Sequence, residues 1–291
     1  MSKIRLFLEM IKFEHTIFAL PYAYIGMVMA SYYTTGGWPD WMTFVWVTLA
    51  MVGARSAAMG LNRVIDAAID ARNPRTANRE IPSGKIKSLE AWLFILASLA
   101  LLAVSAWMLN PLCFKLLPLA VFVLVLYPYC KRFTWACHLV LGLADAFAPL
   151  GGWIAVTGSF DIPALLLAGA VAVWIAAFDI IYACQDVEFD RANGLHSIPS
   201  RFGIAGGLRL SRLMHILTIV LFALVPLFVD LGILYWIGVA AVAGLLWYEH
   251  RIISPHDMSR IDVAFFTVNS YVASVAFVFT FADIGLQIWL S

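Results

Sequence analysis

Charge is what this chain has least of. Only 13% of its 291 residues are Asp, Glu, Lys or Arg, against roughly 25% in a soluble domain. Apolar residues make up 63% and the mean hydropathy is +0.87. That balance excludes a soluble globular domain and implies an all-α integral membrane protein with several spans. A bias of sign is missing too. The 19 basic and 18 acidic residues leave a net charge of +1, so neither a nucleic-acid surface nor an acidic tail is indicated. Cysteine is scarce: Cys113, Cys130, Cys137 and Cys184 form no C-x-x-C pair and lie in or beside apolar runs. They read as small core residues, with no disulfide framework and no thiolate metal site. The start lacks a signal-peptide core as well. M-S-K-I-R-L-F-L-E-M-I-K threads charges through its apolar residues, the pattern of an amphipathic lead-in helix at the interface.

What the chain has in abundance is long apolar runs. A span needs about 20 mainly apolar residues, and nine runs approach that length: 17–33, 41–61, 89–108, 112–129, 136–157, 163–184, 213–229, 231–248 and 263–290. They read as one domain covering 1–291. Asn110-Pro111 alone divides the third run from the fourth, where proline cannot continue a helix by donating its amide. Basic residues sort by connection. Lys3, Arg5 and Lys12 precede the first span, residues 63–87 supply the second connection, Lys131 and Arg132 the fourth, residues 191–212 the sixth, and Arg251 and Arg260 the eighth. The opposite connections carry T-T-G-G-W-P-D, G-S-F-D-I-P and Asp230, with Lys115 the one basic residue nearby. Nine helices with the N-terminus in the cytoplasm put every basic connection inside. A-P-L-G-G-W-I-A-V-T-G in the fifth run has small and helix-bending residues, and reads as plain close packing.

Two connections carry side-chain chemistry. In the first, Asn62, Asp66 and Asp70 stand at i, i+4 and i+8, sharing one helix face, amid Arg63, Arg72, Arg75 and Arg79. Oxygen ligands among guanidinium groups suit a divalent cation and a polyanion; the plain alternative is a solvated loop between spans. In the second, Asp179, Asp186 and Asp190 stand at i, i+7 and i+11 with Tyr182 at the edge of the same face. Asn193-Gly194 then stops the helix. Asp179 falls inside the membrane, where an ionisable group marks a functional candidate. Glu188 and Arg191 read as a solvated helix end. Two acidic clusters facing each other across a pocket suit Mg²⁺ and a diphosphate, neutralised further by Arg72, Arg75, Arg79 or Lys131. The chemistry that follows is departure of diphosphate from a substrate embedded in lipid.

At these residues the sequence resembles the UbiA superfamily of intramembrane aromatic prenyltransferases, over nearly the whole chain. The family's N-D-x-x-D-x-x-x-D matches N-R-V-I-D-A-A-I-D at Asn62, Asp66 and Asp70. R-N-P-R-T-A-N-R-E-I-P-S-G is similar to the segment that follows it. Y-x-x-x-K is present as Tyr127 and Lys131, D-x-x-Y-x-x-Q-D-x-x-x-D as Asp179, Tyr182, Gln185, Asp186 and Asp190, and S-I-P-S-R-F-G ends at Gly203. Arg63 departs from the pattern, since many members carry Asp there, and it is left out of the metal set. I-K-F-E-H-T-I-F-A-L-P only loosely resembles the family's opening motif, which makes Lys12 a weak candidate.

The resemblance implies nine helices around a central cavity and Mg²⁺-dependent transfer of a polyprenyl chain from polyprenyl diphosphate to an aromatic ring. Asn62, Asp66, Asp70, Asp186 and Asp190 would then hold the metal. Arg72, Arg75 and Lys131 would stabilise the leaving diphosphate, and Asp179 with aromatic faces would stabilise the allylic cation. Tyr127, Tyr182 and Gln185 join the substrate site. The active site would open to the cytoplasm from the inner membrane.

Arg55 lies seven residues before Asn62, on the same face and deeper in the membrane, and needs a partner there. Either an aspartate neutralises it or, as the similar position in the family suggests, it holds the acceptor's carboxylate. The second is favoured, and points to 4-hydroxybenzoate for ubiquinone or a dihydroxynaphthoate for menaquinone. K-R-F-T-W-A-C-H-L-V-L-G looks most like bacterial proteins of the 4-hydroxybenzoate and 1,4-dihydroxy-6-naphthoate branches. Asp145 is either a site residue or a buried neutral acid, the latter favoured. His138 reads as a hydrogen-bonded interfacial residue, and His250 and His256 lack ligand spacing. A secondary transporter remains an alternative, since intramembrane Asp and Arg also mark ion pathways. So does a member of the same superfamily with a haem or chlorophyll-type acceptor.

Overall fold

The computed structural model describes residues 3–12 and 16–290. Phe13, Glu14 and His15 of the opening motif lie outside the described residues, as do Met1 and Ser2. The regular elements of the described chain are all helices, and no strand occurs among its residues. In order the helices are α1 (Lys3–Met10), α2 (Thr16–Thr35), α3 (Trp41–Ile65), α4 (Ala67–Asp70), α5 (Ser88–Leu109), α6 (Pro111–Cys130), α7 (Cys137–Thr157), α8 (Ile162–Ala183), α9 (Val187–Ala192), α10 (Ile198–Leu224), α11 (Ile233–Arg251) and α12 (Asn269–Leu290). Among the described residues eight helical stretches are long and apolar enough to cross a membrane, from Trp41–Ile65 to Val263–Leu290. The first expected span, 17–33, corresponds to the 20-residue α2, which is not one of those eight.

The ends follow from local chemistry. Asp40 caps α3 by accepting from the amides of Met42 and Thr43 at 2.9 and 3.3 Å. Asn110 does the same for α6, with Pro111 as its first residue. The seventh span departs from expectation. Its helix begins at Ile198, fifteen residues before the expected 213, so residues 191–212 are not one long connection. Ser197 caps this helix and Pro199 sits in its first turn, where the missing amide costs nothing. Gly203, at φ 76°, kinks it. The S-I-P-S-R-F-G run is therefore a helix start and a kink.

Close packing holds the bundle. A Cβ at Gly26 would sit 2.1 Å from Pro149 O, and one at Gly152 2.1 Å from Ala23 O. These two glycines let α2 and α7 cross in contact, the packing role expected of A-P-L-G-G-W. Tyr22, Met27, Met29, Trp153 and Trp174 are fully buried at the centre, while Leu93, Trp107, Phe122, Leu213 and Ile216 point outward. Apolar residues on both sides suit lipid and not water as the surroundings. The amphipathic α1 leaves Lys3 and Arg5 exposed and buries Met10, with Ile11 just after it, against Ile86 and Ala91. Arg63 Nε donates to Met10 O at 3.2 Å and ties α1 down. Between α2, α3, α5, α6, α7 and α8 lies a cavity of about 820 Å³.

Candidate active site

The cavity has a polar end and an apolar end. Asn62, Arg63, Arg75, Arg79, Asp179, Tyr182 and Gln185 line the first, and Leu102, Ala106, Leu116 and Leu117 belong to the second. Arg55 and Asp145 face the space as well, with Tyr127. Volumes of about 300–1,000 Å³ with few polar groups are usual for ligand sites.

The first acidic segment is not one continuous helix. Asp66 leaves helical geometry at φ −91°, ψ 0°, and α4 is a single turn after it. The i, i+4 relation survives, because Asp70 N still bonds Asp66 O at 2.8 Å. Asn62 Nδ2 donates to Asp66 Oδ2 at 3.3 Å. Asp66 is buried and carries two cations from the α6–α7 connection, Lys131 Nζ at 2.5 Å and Arg132 Nη2 at 3.1 Å. The Arg132 contact lies off a hydrogen-bond direction, so Asp66 Oδ1 is a buried oxygen with no hydrogen-bond partner. Asp70, also buried, takes both oxygens' bonds from Arg79 Nη1 at 2.8 and 2.7 Å.

The second segment changes helical pitch. A 3₁₀ turn, Cys184–Asp186, separates α8 from α9, which turns Asp186 and Asp190 about the axis relative to Asp179. Each finds a different partner. Asp179 Oδ2 meets His138 Nδ1 at 2.7 Å. Asp186 receives a bidentate pair from Arg75, Nε to Oδ1 at 3.0 Å and Nη2 to Oδ2 at 2.5 Å, plus Asn73 Nδ2 at 3.1 Å. Asp190 accepts from Ser197 Oγ at 2.9 Å. Arg75 Nη1 also donates to the Tyr182 hydroxyl at 3.0 Å, and its guanidinium lies 5.2 Å over the Tyr182 ring. Burial disfavours the Arg75 charge, but its hydrogen bonds and attraction to Asp186 outweigh that and hold it above the usual arginine value.

Residues over a hundred positions apart are thus joined by direct hydrogen bonds, Asn73 and Arg75 with Asp186. Among the described residues no three His, Cys, Asp or Glu side chains form a preformed metal-ligand group; each carboxylate sits with the chain's own donors. Arg72 is not brought in. It is exposed and donates to Ala68 O at 3.3 Å, away from the cavity wall. Arg55 Nε is buried without a hydrogen bond, while Asp145, read as a buried acid, shares the cavity wall with it. Lys12 lines the cavity as well. Three participants went unforeseen at this site: Arg132, Asn73 and the exact role of His138 as the partner of Asp179. Arg132 stands next to Lys131 in K-R, and Asn73 stands in R-N-P-R three residues after Asp70, so position beside a motif was the available signal.

Comparison with known proteins bears on the family and the fold. The model of the UbiA prenyltransferase family matches residues 19–271. A curated protein named 4-hydroxybenzoate octaprenyltransferase, from Aliivibrio fischeri (strain MJ11), is 32% identical, with 99% of each chain covered. The apo structure of a UbiA homolog from Aeropyrum pernix K1 superimposes with a TM-score of 0.81 at 32% identity, covering 95% of this chain and 98% of that one. A UbiA homolog from Archaeoglobus fulgidus bound to GPP and Mg²⁺ shares the fold, with a TM-score of 0.71 at 22% identity over 96% and 99% of the two chains.

Proposed function

This chain belongs to the UbiA prenyltransferase family, and from that premise we propose that it transfers a polyprenyl group from a polyprenyl diphosphate to a carboxylated aromatic ring. 4-Hydroxybenzoate or a dihydroxynaphthoate is the acceptor, in ubiquinone or menaquinone synthesis. The observation that carries this reading is the cavity itself: guanidinium and carboxylate groups at one end, an apolar chamber at the other. A relative at 32% identity named an octaprenyltransferase supports the donor class. We place the whole of 1–291 in one domain with nine spans, the N-terminus cytoplasmic and the site opening to the cytoplasm from the inner membrane.

The donor set fits Mg²⁺. All its ligands are hard oxygens, and Asp66 Oδ1 is buried with its lone pairs free of hydrogen bonds. Asn62, Asp66, Asp70, Asp186 and Asp190 would hold the ion as their present partners turn away from them. When bound, Mg²⁺ supplies charge neutralisation for the departing diphosphate. The chain's own groups do the rest. Arg75, Arg79 and Lys131 can turn from carboxylates to diphosphate oxygens, adding fixed positive charge where negative charge develops. Lys131 acts from outside the cavity lining, through its pair with Asp66, whereas Arg72 is exposed, bonds Ala68 O and is left out of this set. Tyr182 and Phe178 present aromatic faces to the allylic carbon, with Asp179 beside them. Tyr127 and the half-exposed rim at Gln185 bound the substrate, and the apolar wall excludes water. Arg55 takes the acceptor carboxylate, filling its missing hydrogen bond.

Purified protein with Mg²⁺, labelled polyprenyl diphosphate and a panel of carboxylated and uncarboxylated phenols and naphthols tests this. Mass spectrometry should find prenylated carboxylated product, lost on chelation with EDTA. Bound donor with no aromatic product from any acceptor would overturn it, and uptake of a small solute by vesicles under the same conditions would favour transport.

A further inference from the structure

Behind one wall of the cavity lies a polar network. Trp174 of α8, His215 of α10, Glu249 and His250 of α11 and Asn269 of α12 are all buried, and Trp174, Glu249 and Asn269 completely so. Asn269 is the hub. Its Oδ1 accepts from Trp174 Nε1 at 2.8 Å, and its Nδ2 donates to Glu249 Oε1 at 2.9 Å. The same Nδ2 reaches the carbonyls of Ala264 and Phe265 at 3.0 and 3.2 Å. His215 Nδ1 meets His250 Nε2 at 3.0 Å and stands 3.7 Å from Glu249 Oε2. Polar groups inside a membrane bundle are costly unless paired, and such a buried network is a functional candidate by default.

The backbone beside the network points to that function. Val263–Val268 is a π-helical turn. Widening a helix to i→i+5 pairing moves carbonyls off their usual donors; one Asn269 Nδ2 proton goes to Glu249, and the other is shared between the Ala264 and Phe265 carbonyls. The widened turn carries Phe265 and Phe266 into the cavity wall. Phe265 stacks on Tyr182 at 4.1 Å and 27°, and meets Phe178 edge-on at 5.2 Å. Phe178 in turn meets Trp174 edge-on at 5.1 Å. Trp174 therefore touches both ends of this chain of contacts, by its N–H and by its ring.

We propose that Asn269, held by Glu249 and Trp174, is a positioning residue: it fixes the π turn and so sets the rings of Phe265, Phe178 and Tyr182 around the carbon that loses diphosphate, directing the cation to the aromatic acceptor and away from water. This rests on the prenyl transfer proposed above. When the carbon–oxygen bond breaks, its electron pair leaves with the diphosphate. The allylic cation then either bonds a ring carbon, which releases a proton, or bonds water, which releases a proton and gives the prenyl alcohol. Rings aligned over the cation favour the first course by cation–π attraction and by filling the space water would take.

The test uses full-length protein in lipid nanodiscs with labelled polyprenyl diphosphate, Mg²⁺ and the acceptor, measuring prenylated aromatic and prenyl alcohol in one reaction. Asn269→Ala and Glu249→Ala should raise the alcohol-to-product ratio about tenfold and lower kcat, with the donor KM within about twofold. Glu249→Gln keeps an acceptor oxygen for Asn269 and should restore the wild-type ratio. Phe265→Leu removes the ring and leaves the network intact, so it should reproduce the shift even if the alanine variants fail to fold. An unchanged ratio in Phe265→Leu overturns the proposal, as does lower total turnover at constant ratio in folded Asn269→Ala. Wild-type protein that transfers to no acceptor overturns the proposed function and this inference with it, an outcome the wild-type control reports by itself.

Discussion

Around Asp66 and Asp70 the basic groups outnumber the acids, whereas of Asp179, Asp186 and Asp190 only Asp186 has a guanidinium partner. Asp66 has Lys131 and Arg132, and Asp70 has Arg79. On the other side Arg75 pairs with Asp186, while Asp179 and Asp190 lean on His138 and Ser197. The first segment has one cation more than its carboxylates need, a surplus available to an arriving anion. The second keeps an excess of negative oxygen, which attracts a cation. The two acidic motifs look alike in sequence, but their partners give them different electrostatic tasks.

Removing the shared feature should have the largest effect. Asp66→Asn and Asp186→Asn keep side-chain volume and lose the charge, so each should lower transfer about a thousandfold, the scale of losing a preorganised electrostatic group. Folding should survive. Breaking a buried ion pair costs roughly 3–5 kcal/mol, more than surface pairs contribute. Lys131 and Arg132 are 29% and 30% exposed, so water can take up their charge and the lower end applies. Activity measured beside thermal melting checks both points. Transfer retained in both variants sinks the two-cluster mechanism.

A smaller effect should separate orientation from charge on the second side. Ile198 N donates to His138 Nε2 at 3.3 Å, so that nitrogen carries no proton and Nδ1–H points at Asp179. The tautomer is assigned from this hydrogen bond. His138→Ala frees the Asp179 carboxylate to rotate, and misplacement of a reacting group on this scale costs about tenfold to a hundredfold in kcat. His138→Asn puts an amide N–H near the former Nδ1 and should recover most of the loss. If asparagine is no better than alanine, His138 does not act by aiming Asp179.

Much of this was legible in the sequence, for a physical reason. A membrane span must be long, apolar and internally hydrogen-bonded, so apolar runs marked most helices to within a few residues. The helix from Ile198 escaped notice because Pro199 and Gly203 look like loop chemistry, although proline is at home in a first turn. Both acidic motifs were visible from spacing. Their partners were not, since i, i+4 periodicity says which residues share a face and nothing about which helix meets it. Arg132 with Asp66 and His138 with Asp179 are tertiary pairings of that kind. Trp174 and Asn269 stand in apolar runs with no charged neighbour, and Glu249 falls just past the expected span 231–248, beside His250 and Arg251, where it looks like a solvated helix end; the helix in fact runs to Arg251 and buries it.

The smallest expected effect lies at neither acidic segment but between them and the apolar chamber. Arg55 stands two helical turns along α3 from Asn62, shares the cavity wall with Asp145, and has a buried Nε with no hydrogen bond. Were Asp145 its sufficient partner, a hydrogen bond between them would be expected, and none occurs. The open donor therefore suits the acceptor's carboxylate. Arg55→Ala should raise the acceptor KM about tenfold, the worth of one charged hydrogen bond, while the donor KM moves little. Asp145→Asn serves as the counterpart, since it leaves the guanidinium in place. Steady-state kinetics with each substrate varied in turn decides the matter. An effect of Arg55→Ala confined to the donor would refute the carboxylate role and move Arg55 to the diphosphate end of the cavity.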